Sequence, residues 1–141
     1  MPAAPTEAQL LHLLEAAAAV AQNAHAPYSG FRVGAALLLA HPHQDTVITG
    51  CNVENASFRL TTCAEQSAVA AAVARHGPHI RILAVAVANL NQAASQPCGA
   101  CRQTLHEFAL PETLVLYPGP SAQTEQQLLS ELLPNSFSLT P

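Results

Sequence analysis

The chain contains no lysine and no tryptophan, and only 10% of its 141 residues are charged. Five arginines face nine acidic residues, which gives a formal net charge of −4 with histidine neutral. Proteins that bind long DNA or RNA depend on lysine and arginine contacts with phosphate, and these residues then form a basic stripe. Five scattered arginines do not form one, so we expect no nucleic-acid partner.

The chain also has no long apolar run, and its first residues do not have the pattern of a secretory leader. No apolar stretch reaches the roughly 18 uninterrupted residues of a membrane-spanning helix. The first residues, MPAAPTEAQ, lack the charged start and the continuous apolar stretch of a secretory signal. We therefore expect no membrane association and a cytoplasmic location, where thiols stay reduced.

Hydrophobic residues make up 50% of the chain, which is enough for a sizeable core in a single domain spanning residues 1–141. The apolar pattern predicts helices over 6–24, 63–75, 98–108 and 124–133, and strands over 33–40, 47–53, 80–88 and 114–117. This alternation predicts an α/β domain with a mostly parallel sheet. Because the helix 63–75 is small and apolar on nearly every side, we expect it to be buried and the protein to be an oligomer.

The strongest chemical signal is the segment Pro97-Cys98-Gly99-Ala100-Cys101. Two cysteines at this spacing at a helix start place both sulfurs on one metal ion, and a helix N-terminus stabilises thiolates. Taken alone, the pair also suits a redox motif or half of a zinc ribbon.

A second segment, Cys63-Ala64-Glu65, opens the preceding predicted helix. Three cysteines then lie at the starts of two helices separated by one buried strand. Three protein ligands leave the fourth tetrahedral position of a zinc ion for water, which is the catalytic arrangement. Glu65 reaches that position without binding the metal. This spacing is that of zinc-dependent nucleobase deaminases.

A closed structural zinc site that also uses Cys51 is the alternative. It requires Cys51, which lies within a predicted strand, to point at the same spot. It also leaves Glu65 without a role beside a metal. A small buried apolar residue is the better interpretation of Cys51.

Five blocks of the chain, taken in order, resemble the cytidine deaminase family. They are PYSGFRVGAALL at 27–38, GCNVENAS at 50–57, CAEQSA at 63–68, PCGACRQ at 97–103 and LLPNSF at 132–137. The resemblance implies a three-layer α/β/α sandwich with a mixed, mostly parallel sheet. It implies hydrolysis of cytidine and 2′-deoxycytidine to the uridines with release of ammonia. It also implies one Zn²⁺ per chain and a homotetramer with shared active sites.

The resemblance also implies a role for each matching residue. Zinc is held by Cys63, Cys98 and Cys101. Glu65 moves a proton to the pyrimidine ring and then to the leaving amine. By the same resemblance, Asn52 and Glu54 hold the ribose hydroxyls, and Phe31 lines the pocket for the base. The backbone N–H of Ala64 donates to the base carbonyl. Phe137 enters the active site of a neighbouring subunit and contacts the substrate there.

The residues alone support this assignment in part. Asn52 and Glu54 are two positions apart, so they face the same side of a strand end, which suits adjacent hydroxyls. From the residues alone, a turn residue and a solvated loop charge stay open for these two positions. Core or tail packing stays open for Phe31 and Phe137.

The chain departs from the family pattern at two positions. Gln66 follows the catalytic glutamate where the three-cysteine branch usually has arginine, and Phe58 stands where a tyrosine is usual. Three thiolates and Zn²⁺ sum to a negative charge. We expect Gln66 to form a hydrogen bond near the sulfurs without adding positive charge. The helix N-termini and Arg102 then supply more of the positive charge that offsets the three thiolates.

Three other functions compete with this one. A deaminase of a related cytosine-containing compound such as blasticidin S ranks below, because Asn52 and Glu54 favour a nucleoside sugar. The acidic charge balance counts against a deaminase of nucleic acids. A zinc-stabilised interaction module has no use for Glu65.

Overall fold

The computed structural model describes residues 2–141. Helix α1 (Glu7–Ala21) begins at Thr6 with a reciprocal capping box. Gln9 N–H donates to Thr6 Oγ1 at 3.1 Å, and Thr6 N–H donates to Gln9 Oε1 at 2.8 Å. This pair satisfies two backbone donors that the helix itself leaves free. The first helical residue is therefore Glu7, one position after the predicted start at residue 6.

Five strands form one sheet in the order β2-β1-β3-β4-β5. The strands are β1 (Val33–Leu39), β2 (Val47–Cys51), β3 (Ile82–Asn89), β4 (Ala109–Pro118) and β5 (Thr124–Leu128). The remaining helices are α2 (Ala64–His76), α3 (Gly99–His106) and α4 (Leu129–Leu132), with a 3₁₀ turn at Phe58–Leu60.

The sheet is mixed, as predicted, but it is not mostly parallel. Only β3 and β4 pair in parallel. The pairs β1–β2, β1–β3 and β4–β5 are antiparallel. The chain returns from β1 to β2, and from β4 to β5, through short turns that have no room for a crossover. Helix α3 supplies the crossover that a parallel β3–β4 pair needs.

Side chains of β1 alternate between the two faces of the sheet. Ala36 and Leu38 pack with Leu13 and Ala17 of α1. Leu37, like its neighbours two positions away, packs on the other face with α2, α3 and α4. Helix α1 thus covers one face and the other helices cover the opposite face, which confirms the three-layer α/β/α sandwich.

Gly50 lets α2 approach the sheet closely. A Cβ atom at this position would lie 2.3 Å from the backbone nitrogen of Ala68. Only a residue without a side chain permits this contact. It brings the first turns of α2 against the end of β2, where Asn52 follows.

The segment predicted as one helix over 124–133 is instead strand β5 followed by the short helix α4. Gly119 N–H donates to Gln123 O at 2.7 Å and closes a turn after β4. The turn lays 124–128 against β4, so the ladder of hydrogen bonds outweighs the helix propensity of glutamate and glutamine. Strand β4 is correspondingly longer than the predicted 114–117.

One side of α2 is exposed in the single chain, so one copy does not bury this helix all round, and its burial in an oligomer stays a prediction. Ala68 and Ala72 are buried, whereas Ala70, Ala71 and Ala74 are exposed. Within residues 2–141, the structure has no helix that is both long and apolar enough to cross a membrane.

Candidate active site

The Sγ atoms of Cys63, Cys98 and Cys101 lie within 4.8 Å of one another. Strands β2 and β3 both run antiparallel to β1, so their carboxyl ends lie at the same edge of the sheet. Helix α2 follows β2 and helix α3 follows β3, so both helices begin at that edge. Cys63 and Cys98 are their N-cap residues. The structure therefore brings together the three cysteines that the sequence pattern selected.

The three sulfurs fit one zinc ion. Zinc with thiolate ligands at about 2.3 Å in tetrahedral geometry places the sulfurs about 3.8 Å apart. Cys51 lies outside the cluster, at the end of β2, so the cluster offers three donors and leaves one position open. This is the donor set of a catalytic site and not of a closed structural one.

The electrostatics of the thiols point the same way. The hydrogen bond from the Cys101 thiol lowers the pKa of Cys63 to about 7, against burial and the nearby Glu65 carboxyl. That same hydrogen bond, together with burial, raises the pKa of Cys101. Each thiol that ionises thus opposes ionisation of the next. Cys63 and Cys101 become thiolates together only with a cation between them, and metal binding then releases protons.

Glu65 is the acidic residue beside this cluster. It is 5% exposed and lies in the first turn of α2. Burial raises the pKa of the Glu65 carboxyl, while its own backbone N–H and the Cys101 thiol lower it. A carboxyl with a raised pKa next to a metal site suits a group that both accepts and donates protons near neutral pH.

A cavity of about 220 Å³ opens over the cysteines. Its walls come from β1, the end of β2 and the starts of α2 and α3. They comprise Phe31, Val33, Asn52, Thr61, Cys63, Ala64, Glu65, Ser95, Gln96, Cys98 and Cys101. Ala64 is the first residue of α2, so its N–H has no partner within the helix.

Asn52 holds the beginning of β1. Its Nδ2 donates to Phe31 O at 2.8 Å, and its Oδ1 accepts from Val33 N–H at 2.8 Å. The amide fixes the backbone on both sides of Arg32 and so orients Phe31 at the cavity wall. One N–H and one lone pair of the amide remain for a substrate.

Glu54 lies in an adjoining depression of about 260 Å³ that shares Thr61 with the cavity. Its carboxylate accepts from Tyr28 N–H at 2.9 Å, from Ser29 N–H at 3.2 Å and from the Ser29 hydroxyl. The Ser29 hydroxyl bond, with the two backbone bonds and His25, lowers the pKa of Glu54 although desolvation opposes it. The group is thus an ionised hydrogen-bond acceptor.

The side chains of Gln66 and Arg102 form hydrogen bonds with residues around the cysteine cluster and not with the sulfur atoms themselves. Gln66 Oε1 accepts from Cys63 N–H at 3.2 Å. Arg102 donates from Nε to Pro97 O at 2.7 Å, from Nη1 to Leu132 O at 2.6 Å and from Nη2 to Gln96 Oε1 at 3.1 Å. These side chains tie the backbone around the cysteines together.

Phe137 does not line the cavity of its own chain. Phe137 as a whole residue is 67% exposed, although its backbone carbonyl accepts from Gln103 Nε2 at 3.0 Å. Ser138 Oγ lies 2.9 Å from His106 Nε2. The tail is thus fixed along α3 while the aromatic ring projects away.

Sequence reasoning did not select Thr61, Ser95 and Gln96 as cavity residues. Ser95 and Gln96 directly precede the Pro97-Cys98 pair, and Thr61 stands two positions before Cys63. The only sequence signal for these three residues was that they lie within a few positions of the cysteines. Their side chains carry no metal-binding or acid–base chemistry that would have singled them out.

Comparison with known proteins gives a consistent result. The family model described as the cytidine and deoxycytidylate deaminase zinc-binding region matches residues 7–117. The cytidine deaminase of Halalkalibacterium halodurans is 37% identical over 126 residues, covering 89% of this chain and 92% of that protein. The cytidine deaminase of Mycobacterium tuberculosis is 41% identical over 119 residues, covering 84% of this chain and 82% of that protein.

Solved structures resemble the fold over nearly its whole length. The crystal structure of cytidine deaminase from Mycobacterium tuberculosis superposes with a TM-score of 0.79 at 38% identity, covering 96% of this chain and 100% of that one. The crystal structure of cytidine deaminase from Burkholderia pseudomallei gives a TM-score of 0.77 at 37% identity, covering 94% and 100%. With its three-cysteine cluster and buried glutamate, the chain belongs to the cytidine and deoxycytidylate deaminase family.

Proposed function

We propose that the chain hydrolyses cytidine and 2′-deoxycytidine to uridine and 2′-deoxyuridine and releases ammonia. The observation that carries this proposal is the buried Glu65 carboxyl beside a three-cysteine cluster that leaves one metal position open. A metal site built only for structure has no need of either feature.

The chain's own residues divide the chemistry. Cys63, Cys98 and Cys101 would hold the zinc ion, which would supply a water molecule of lowered pKa as the nucleophile for C4 of the base. Glu65 takes up one proton of that water at its carboxylate and gives it to the ring nitrogen. It then takes the remaining proton from the hydroxyl group on C4 and gives it to the leaving amine, which departs as ammonia. Burial raises the pKa of Glu65, which lets the carboxyl hold that proton between the steps.

Binding of the base and of the sugar uses separate parts of the site. The free Ala64 N–H donates to the base carbonyl, and Phe31 packs against the ring. Asn52 and the ionised Glu54 bind the ribose hydroxyls, because a carboxylate accepts from them and the amide both donates and accepts. The rigid bonds of Glu54 to Tyr28 and Ser29 hold its carboxylate toward the adjoining depression.

The charge around the site favours a nucleoside over a nucleotide. Among residues 2–141, those that line the cavity and the adjoining depression include Glu54 and Glu65 but no arginine or lysine. A 5′-phosphate brought near these carboxylates meets repulsion without a compensating cation. We therefore propose cytidine and 2′-deoxycytidine as substrates in preference to their monophosphates.

We also propose that the protein works as a homotetramer with shared active sites. Support comes from the exposed alanines of α2, the exposed ring of Phe137, and Phe58, which is 73% exposed beside the site. Apolar surface of this kind around a site suits contact with another copy. A cytoplasmic location accords with ligands that must remain reduced thiols.

The experiment compares substrates by loss of the cytidine absorbance band. Zinc-loaded protein receives cytidine, 2′-deoxycytidine, cytidine 5′-monophosphate or blasticidin S at equal concentration. Turnover of both nucleosides, with kcat/KM for the monophosphate at least about 100-fold lower, supports the proposal. Faster turnover of the monophosphate or of blasticidin S assigns the site to that compound instead.

A further inference from the structure

A chain of side-chain hydrogen bonds runs from the edge of the sheet to the cysteine turn of α3. The Tyr117 hydroxyl of β4 donates to Gln127 Oε1 of β5. Gln96 Nε2 donates to the same hydroxyl at 3.2 Å, and Gln96 Oε1 accepts from Arg102 Nη2 at 3.1 Å. Tyr117 is 4% exposed and its bonds to Gln127 and Gln96 are partly buried, whereas Gln96 itself and its bond to Arg102 are exposed.

Gln96 lies where the metal ligands depend on it. It precedes Pro97 and Cys98, and Pro97 is fully buried. Arg102 donates to the carbonyl oxygen of Pro97 as well as to Gln96, so one guanidinium clamps the two residues before the ligand onto the helix that the ligand opens. A planar guanidinium with several donors suits such a fixed, multiple contact.

The cysteines need this support because they come from two separate elements. Cys98 and Cys101 share the first turn of α3, whereas Cys63 caps α2. The gap between the two groups depends on how the segment before α3 sits against the sheet. Ser95 N–H donates to Pro118 O at 2.9 Å, and the Gln96–Tyr117 contact adds the side-chain tie to β4.

Gln96 also lines the cavity, but its amide is held at both ends. Tyr117 accepts from its nitrogen and Arg102 donates to its oxygen. We infer that Gln96 and Tyr117 are positioning residues that act through Arg102 and Pro97 to hold Cys98 and Cys101 at the spacing from Cys63 that a single metal ion requires. The inference rests on the zinc site of the proposed function and concerns how firmly that site holds the metal.

Two substitutions test the pair with little loss of volume. Tyr117→Phe removes only the hydroxyl, and Gln96→Met removes the polar atoms of a side chain of similar length. Supporting groups behind metal ligands affect metal affinity by about 10-fold to 100-fold. We expect each variant to release zinc to a chromogenic chelator about 10-fold faster than the wild type.

The double variant separates a connected network from two independent effects. If both residues act through one chain of contacts, Gln96→Met with Tyr117→Phe releases zinc no faster than the more affected single variant. Multiplication of the two single effects overturns the inference.

A matched control separates positioning from general loss of stability. Val115 is fully buried in β4, close to Tyr117 in the chain but not part of the hydrogen-bonded network. Val115→Ala lowers the free energy of unfolding by creating a cavity. We expect zinc release from this variant to stay within about twofold of the wild type, and a rate as high as that of Tyr117→Phe overturns the inference.

A spectroscopic readout completes the test. With Co²⁺ in place of zinc, the d–d absorption bands report the geometry of the metal site. We expect the bands to shift or broaden in Gln96→Met and Tyr117→Phe and to match the wild type in Val115→Ala. Unchanged bands in both network variants overturn the inference. These readouts do not depend on turnover, so they stay distinct from a failure of the proposed reaction.

Discussion

Gln66 accepts a hydrogen bond from the backbone N–H of Cys63 at 3.2 Å. The side chain that follows Glu65 thus holds the backbone of a residue in the cysteine cluster and completes the N-terminus of α2 from its third position. Arginine has no acceptor, so the residue usual in the three-cysteine branch cannot make this contact. With glutamine at position 66, the site lacks the positive charge of arginine, and helix α2 has an additional capping hydrogen bond.

The cap predicts a measurable change in stability. Gln66→Leu keeps the bulk but loses the acceptor, so we expect the free energy of unfolding to fall by about 1 kcal/mol. Gln66→Glu keeps an acceptor at a position that favours negative charge, and we expect it to retain the capping contribution. Denaturant unfolding at one fixed zinc concentration measures both. Equal stability of Gln66→Leu and the wild type contradicts the cap.

The three-ligand site predicts which cysteines matter for metal content. Cys98→Ser removes one of the three clustered sulfurs, and we expect zinc to fall from one per chain to a trace. Cys51 lies outside the cluster, so we expect Cys51→Ser to retain one zinc per chain. Elemental analysis of the purified variants decides, and zinc loss in Cys51→Ser would favour a closed four-cysteine site.

The contact of Ser29 with Glu54 predicts a change in pH dependence. The Ser29 hydroxyl is the largest cause that lowers the pKa of Glu54, so wild-type Glu54 stays ionised below the usual range of a carboxyl. In Ser29→Ala the pKa of Glu54 rises toward its ordinary value. As the pH falls, KM for cytidine should therefore begin to increase at a higher pH than in the wild type.

At neutral pH we expect KM for Ser29→Ala to increase by about twofold to tenfold, the range for losing one supporting hydrogen bond, with kcat unchanged. Ser57→Ala, in the exposed loop after Glu54, is the control and should behave as the wild type. A reduced kcat with unchanged KM would place Ser29 in the chemical step and contradict this assignment.

The exposed side of α2 predicts that assembly and activity are linked. Ala71→Arg places a charged side chain on this side, and arginine is well tolerated in an exposed helix, so the monomer should still fold. We expect light scattering to show dissociation of the proposed tetramer together with loss of activity. Ala19→Arg on the exposed side of α1 should leave both unchanged. An active, fully dissociated Ala71→Arg protein contradicts shared active sites.

The cysteine cluster could be predicted because its signals are local. Cys98 and Cys101 lie within one helical turn, and Cys63 opens a helix, so spacing and helix starts were sufficient to select them. The alternating elements predicted an α/β domain, and the family resemblance implied its three layers. The directions of the strands could not be predicted in the same way. A strand such as 80–88 that is covered on both faces is apolar throughout, whether its neighbours run parallel or antiparallel to it.

Strand β5 and the network behind the cysteines depend on contacts between distant parts of the chain. The segment 124–128 is polar and rich in helix formers, and only pairing with β4 makes it a strand. Gln96 and Tyr117 are 21 positions apart, and Arg102 and Leu132 are 30 apart. No local pattern marks such partners, so the structure was needed to find them.

Glu65→Gln tests the central claim most directly. The substitution keeps the size of the side chain and removes its ability to exchange protons. With zinc content matched to the wild type, the rate of cytidine loss is followed by absorbance at saturating substrate. We predict that wild-type protein converts cytidine to uridine and that Glu65→Gln is slower by at least about 100-fold, the scale for removing a general acid and base. Turnover of cytidine by zinc-loaded Glu65→Gln at the wild-type rate, or no turnover by zinc-loaded wild type, would contradict the account.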